Sequence, residues 1–236
     1  MSEQELEKIS NEEETIEIEQ PKKRKMSEKT RNIVEWIVCI IIAVVLTLIF
    51  RFYVATPTVV QQVSMYPTLV EDQRLMIVRT FRITKKMPEK GDIVTFEAPA
   101  FPYSTDNVDQ SNPKAQYIDN KKNIFQKFEY YVLELSKKSY IKRVIALPGE
   151  HVEIKDGKVY INSEELQEDY LGDDVVTEST IFTDFIVPEG YIFCMGDNRT
   201  MSTDCRDFGC IPFEKLEGIV VFRFWPFGDT FGKIGK

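Results

Sequence analysis

A chain of 236 residues, 43% apolar and 29% charged, has the composition of a folded protein and room for one medium domain plus a smaller appendage. A net charge of -8 argues against a nucleic-acid partner, because neutralising phosphates needs a basic surface. One histidine, His151, excludes three-histidine and HExxH zinc sites, and the four cysteines contain no CxxC pair and are too few for a disulfide scaffold.

Residues 1–20 carry eight glutamates and one lysine, and 1–32 read as a solvated cytoplasmic tail. Within it Lys22, Lys23, Arg24, Lys25, Lys29 and Arg31 lead directly into an apolar stretch, 33–50, whose only charge is Glu35. In a helix rising ~1.5 Å per residue this stretch reaches ~27 Å, and the FYVA that follows Arg51 extends it to match a hydrocarbon core of ~30 Å. Residues 33–54 therefore read as a single transmembrane anchor. A nuclear address and a cleaved signal peptide are the rival readings. The positive-inside rule accounts better for a basic run abutting the span, and Tyr53-Val54-Ala55 lacks the small residues of a cleavage site. The N-terminus is expected in the cytoplasm and residues 55–236 outside.

The outer part alternates short strand-like runs with turn residues: RLMIVRTF, DIVTF, YIKRVIAL, HVEIKDGKVYIN, FIVPEGYIFCM and GIVVFRFW. Asp156-Gly157 between two such runs is a strong hairpin signal. The expected class is mostly β, an antiparallel sheet domain behind one membrane helix. Residues 97–139 break the rhythm as an insertion, polar over 103–123 and then helix-like, with Ile124, Phe128, Tyr131, Val132 and Leu135 at helical spacing. A strand reading for EYYVLEL stays open. GIVVFRFWPFGDTF reads as a core strand, with an interfacial aromatic contact as the alternative.

Three segments concentrate residues able to do chemistry. In VSMYPTL, Ser64 stands near the membrane exit, and alone it reads more readily as a turn hydrogen-bonder than as a nucleophile. In YIKRVIALPGE, Tyr140, Lys142, Val144 and Ala146 share one strand face and Ile141, Arg143, Ile145 and Leu147 the other, so each face carries one cation; the bland expectation is that both cations snorkel outward. GDNRTMSTDCRDFG holds Asp197, Asn198, Arg199, Ser202, Thr203, Asp204, Arg206 and Asp207, a density suited to bracing a loop through arginine–carboxylate pairs. It fails as a calcium loop because Arg199 and Met201 occupy the alternate positions after Asp197.

His151 follows PGE in a turn and reads as an exposed residue without a special role. If Ser64 reacts, Lys142 is the more plausible base. An amine with a free pKa of ~10.4 needs ~3 units of depression to be largely neutral near pH 7, roughly 4 to 5 kcal/mol, which a dry apolar site can supply. Ser202 is a candidate to orient that amine.

In the order anchor, SMYPTL, GDIV, KRVIALPGE, GDNRTMSTDCRDFG, the chain over about 30–236 resembles the bacterial type I signal peptidases, membrane-anchored Ser/Lys enzymes that remove signal peptides from exported preproteins. The resemblance implies Ser64 as nucleophile, Lys142 as general base, Ser202 as the serine orienting it, and Asp204 with Arg206 as a bracing ion pair. Asp197 and Asn198 support the site, and Gly91 and Asp92 open the GD strand. It implies that Met65, Leu69, Tyr140 and Ile141 help line shallow pockets for small residues at an A-x-A site. It also implies no metal or cofactor, and a second, smaller β lobe, about 150–190, inserted between KRVIALPGE and GDNR. Partners would be secretory preproteins with their signal peptides and the lipid bilayer. Cys205 stands where serine is usual, and a bond to Cys210 is open. The competing reading is a non-catalytic membrane-anchored β protein that binds exported chains.

Overall fold

The computed structural model describes residues 27–100, 109, 111–118, 123–135, 137–172, 174–179 and 181–234. Most of the expected tail, 1–26, and much of the polar part of the insertion lie outside the described residues. The chain divides into two units, Met1–Val45 and Leu46–Lys236. Helix α1 (Glu28–Tyr53) starts ahead of the expected span, because Glu28, Lys29 and Arg31 are competent helix formers and Arg31 pairs with Glu35 one turn on (3.5 Å). It is long and apolar enough to cross a bilayer and buries none of its residues against protein.

In the second unit, β1 (Ala55–Val59) leads through a 3-10 turn (Val63–Met65) to β2 (Arg74–Val78), a short α2 (Phe81–Thr84) and β3 (Ile93–Glu97). Helix α3 (Ile124–Phe128) continues as a π-turn over Glu129–Leu133, which settles EYYVLEL in favour of a helical form. Then come β4 (Ser139–Ala146), β5 (His151–Lys155), β6 (Lys158–Ile161), β7 (Glu164–Glu165), β8 (Asp184–Ile186) and β9 (Tyr191–Met195). The chain ends with α4 (Cys205–Phe208), β10 (Ile211–Pro212), β11 (Leu216–Trp225) and β12 (Gly232–Lys233).

Two antiparallel sheets result. The larger runs β1-β2-β11-β3-β4-β9-β10 with β12 on β11, and the smaller, between β4 and β9 in sequence, runs β7-β6-β5-β8. Asp156 (φ 51) and Gly157 (φ 77) both take the left-handed region that a two-residue hairpin demands, and so join β5 to β6. One apolar core, including Phe96, Val144, Phe193 and Phe208, continues into the small sheet through Val152 and Phe185; a second joins Val60, Met65, Leu69, Leu75, Ile77, Ile93 and Val220.

The central position of β4 decides the fate of its cations. Hydrogen-bonded to β3 on one side and β9 on the other, the strand buries every residue from Lys142 to Ala146. The expectation that Lys142 and Arg143 snorkel outward is therefore corrected: both are enclosed, on opposite faces. In β11 the Leu216–Val220 end is core, as expected of that segment, whereas Trp225 and the following Phe227 and Phe231 are exposed.

Candidate active site

Ser64 lies in the 3-10 turn after β1, and Lys142 lies on β4 opposite Val94 of β3. The fold brings them together: Lys142 Nζ donates to Ser64 Oγ at 2.6 Å. Lys142 is 2% exposed, Ser64 9%. Burial pushes the Lys142 amine down from 10.5 to about 8; Asp204, Cys205 and Asp197 pull it back up, and Arg206 adds to the depression. The first N–H groups of a 3-10 turn have no partner within it, so the Ser64 N–H is a donor available to an oxyanion.

The GDNR loop leaves β9 and packs its backbone against the same turn. Asn198 N–H donates to the Ser64 carbonyl (3.1 Å) and the Asn198 side-chain amide to the Val63 carbonyl (3.2 Å). Gly196 makes this approach possible. A Cβ there would stand 2.4 Å from the Ser64 carbonyl oxygen and 2.2 Å from Ser202 Oγ. Ser202 packs against Gly196, and its hydroxyl donates to Asp204 Oδ2 at 2.7 Å, whereas the Lys142 amine bonds to Ser64.

Asp204 and Arg206 form the ion pair the resemblance implied. Arg206 Nε and Nη2 each reach the Asp204 carboxylate at 2.9 Å, and Arg206 also holds the Arg199 and Glu178 carbonyls. Asp204 caps α4, accepts from the Gly196 N–H (2.9 Å) and exchanges capping bonds with Asp207. Asp197 does a different job: its carboxylate takes two bonds from Arg143 (2.9 and 2.7 Å) and one from Thr68 (2.5 Å). Arg143 reaches on to the Gly91 carbonyl (2.9 Å), which ties in the GD segment, while Asp92 binds back to the Glu89 N–H (2.8 Å).

Met65 and Leu69 are fully buried beneath Ser64, whereas Tyr140 and Ile141 are half-buried on β4. These four line a groove of about 660 Å³ that follows β1 from Ser64 towards Arg51 and Arg79. A second depression, about 410 Å³, is lined by Ser64 and Lys142 together with Gln61, Gln62, Glu71, Met201 and Thr203. His151 lies on the small sheet rather than on the main sheet that carries Lys142, with its Nε2 2.6 Å from Asp184. All four thiols are free, so no Cys205–Cys210 bond exists; the Cys205 sulfur instead accepts from the Cys194 N–H.

Three participants escaped the sequence reading. Arg143 was placed on the far face without a partner, Gly196 was not singled out, and Arg199 was not paired. It holds Glu168 from the small lobe, Thr177 (2.6 Å) and the Gly196 carbonyl (3.1 Å). A glycine at a strand end is a readable sign of close backbone approach, but nothing local says what approaches.

The family model for signal peptidase, peptidase S26, matches residues 33–225. Among curated proteins the chain is 32% identical over 213 residues to "Signal peptidase I" of Bacillus licheniformis, covering 87% of this chain and 95% of that one. It is 31% identical over 210 residues to "Signal peptidase I T" of Bacillus subtilis (86% and 90%). The similarity to "Thylakoidal processing peptidase 1, chloroplastic" of Arabidopsis thaliana is 33% over 184 residues, and there the chain spans only 46% of the relative's length. With a buried serine–lysine pair at its centre and this match over most of its length, the chain belongs to the signal peptidase family, peptidase S26, and is a serine endopeptidase that removes signal peptides.

Proposed function

We propose that Ser64 is the nucleophile and Lys142 the general base of a peptidase cutting after small residues of an A-x-A type site, on the side of the membrane opposite the N-terminus. The observation that carries this reading is the 2.6 Å contact between the two side chains inside a site that lowers the amine to about 8. At pH 7 such an amine is neutral in about one molecule in ten, against fewer than one in a thousand for a free lysine. In the neutral form the same contact runs the other way, with the Ser64 hydroxyl donating to the Nζ lone pair.

As Oγ attacks the scissile carbonyl carbon, its proton passes to Nζ and the new oxyanion meets the Ser64 N–H. The ammonium then protonates the leaving amine, which releases the mature chain and leaves the signal peptide esterified to Ser64. A water gives its proton to the regenerated amine, attacks the ester, and frees the signal peptide as a carboxylic acid and the serine as its hydroxyl. Ser202, held by Asp204, positions Lys142, and the Asp204–Arg206 and Asp197–Arg143 pairs hold the loop and strand that carry the dyad. The groove along β1 leads back towards α1, so the signal peptide, itself membrane-bound, occupies that side, with small side chains over Met65, Leu69, Tyr140 and Ile141. The start of the mature chain leaves past Gln62 and Met201.

α1 crosses the bilayer with the N-terminus in the cytoplasm, supported by six basic residues from Lys22 to Arg31 before the span and only Arg51 between it and Arg74. The test is cleavage of a preprotein with an A-x-A site by the detergent-solubilised chain. Ser64→Ala and Lys142→Ala should abolish it and His151→Ala should leave it intact. Activity surviving in Lys142→Ala would remove the lysine from the mechanism. Protease added outside sealed vesicles should digest residues beyond 55 and spare the N-terminus; the reverse pattern would invert the topology.

A further inference from the structure

Between β3 and β4 the chain leaves the main sheet, and the described end of this excursion is α3 with its π-turn. The helix is pinned at both ends. Asn123 and Gln126 exchange capping bonds (2.9 and 3.0 Å) at its start. At its finish Glu134, in the left-handed region (φ 57), pairs with Arg79 at 2.7 Å and is reached by Arg51 at 3.4 Å. Tyr130 donates to Glu97 (3.0 Å), and Tyr130, Val132, Leu133 and Glu134 are the half-buried residues of the segment.

Every residue from Asn123 to Glu129 is exposed, the apolar ones included. Ile124 is 78% exposed, Phe125 81%, Phe128 47% and Leu135 54%. An amphipathic helix usually turns its apolar stripe to a core, and none of these four residues joins either apolar core. Two further observations say what covers them. First, Arg51, in the last turn of α1, also donates to the Leu133 carbonyl (3.3 Å), so α3 is tied to the place where the apolar helix ends. Second, the neighbouring cleft, about 610 Å³, is lined by Phe52, Tyr53 and Phe81 together with Arg82 and Lys85. Arg82 donates to the Phe52 carbonyl (2.9 Å) with its guanidinium 4.5 Å from the Phe52 ring centre. Aromatic rings beside cations at the end of a span are the chemistry of the headgroup layer. In sequence Lys121 and Lys122 directly precede the helix and Lys127 lies within it, a basic composition suited to an anionic membrane surface.

The geometry points to α3 as a second membrane contact, lying in the interface of the leaflet from which α1 emerges, with Ile124, Phe125, Phe128 and Leu135 among the acyl chains. The inference rests on the reading that α1 spans the bilayer. Its consequence is for the groove: Glu134 and Lys137 line the groove's near end, so seating α3 fixes the height at which the groove opens above the lipid.

The test uses the full chain in nanodiscs of phosphatidylcholine and phosphatidylglycerol, one copy per disc, with or without bromine on the acyl chains near the headgroups. Two single-tryptophan versions are compared: one keeping Trp36 with Trp225→Phe, the other carrying Phe125→Trp with Trp36→Phe and Trp225→Phe. Bromine should remove more than about half the emission from both positions, since an interfacial helix buries its apolar face only ~5–10 Å deep. Trp36 quenched with position 125 bright would overturn the inference and leave the span intact; Trp36 unquenched would overturn the spanning reading and the inference with it. Water-shielding at 125 that appears only with two copies per disc would give the face to a second copy of this chain, and overturn the lipid contact. A second arm uses Phe125→Glu with Phe128→Glu, both exposed and outside the site. Cleavage of a vesicle-embedded preprotein should fall about tenfold while cleavage of a short peptide in detergent holds. Equal losses on both substrates would make α3 a structural element only.

Discussion

The Lys142 amine is costly to the protein in the form that water prefers. Its proton is held less tightly in the folded chain, about 8 against 10.5. Between those values the unfolded chain binds a proton that the native one does not, so stability rises with pH across about 8 to 10.5, and below 8 the full penalty of about 3 kcal/mol applies. Lys142→Met should therefore be inactive yet more stable than the parent at pH 7, by up to about 3 kcal/mol, with a thermal midpoint in detergent that no longer climbs over that window. The same proton sets the rate. With the neutral amine as the proposed base, kcat/KM on a peptide should rise with pH through about 8 and level off above it; a profile flat from pH 6 to 9 would remove Lys142 from the rate equation. Gly196 is the matching steric case. A methyl group 2.4 Å from the Ser64 carbonyl and 2.2 Å from Ser202 Oγ must displace one of them, so Gly196→Ala should lower kcat by about a hundredfold or more while circular dichroism stays that of the parent.

At the scale of elements, the site is two strands and a loop held in register by buried charge. Arg143 and Asp197 are almost completely enclosed, and such a pair stabilises little overall yet is destructive to break, because the surviving charge is left without a partner. Asp197→Ala should cost about 3 to 5 kcal/mol, and Arg143→Met with Asp197→Leu should recover most of it in thermal unfolding, since no lone charge then remains. This pair also marks the limit of what the sequence discloses. Alternation in YIKRVIAL placed Lys142 and Arg143 on opposite faces correctly, but could not tell that β3 and β9 would enclose both, because strand neighbours are set by topology. Asp156-Gly157 was legible because a two-residue turn is chosen by its own φ angles. The helical period of 124–135 was legible too, whereas the exposure of its apolar residues and the seat of the helix were not. That seat depends on Arg51, Arg79 and Glu134 meeting across long separations in sequence. The motif order carried Ser64, Lys142, Asp204 and Arg206 to one place, but Glu168 and Thr177, the small-lobe partners of Arg199, lie in stretches with no motif at all.

For the whole molecule, the enzyme and its substrate share a dimension. With α1 in the bilayer, as proposed, a signal peptide held in the same bilayer and the enzyme's groove meet by lateral search, and the anchor raises effective concentration without touching the scissile bond. This separates two quantities that a single activity assay merges. Removing residues 1–45 leaves the second unit whole, including Arg51 with its contacts to Leu133 and Glu134, and with them the groove and the dyad. A short soluble peptide carrying an A-x-A site should then be cleaved with kcat/KM within about threefold of the full chain, since its encounter is three-dimensional either way. A preprotein in vesicles should be cleaved about a hundredfold or more slowly, because the truncated enzyme must find the surface first. Parallel losses on both substrates would show instead that α1 props up the catalytic unit, and the proximity argument would fall.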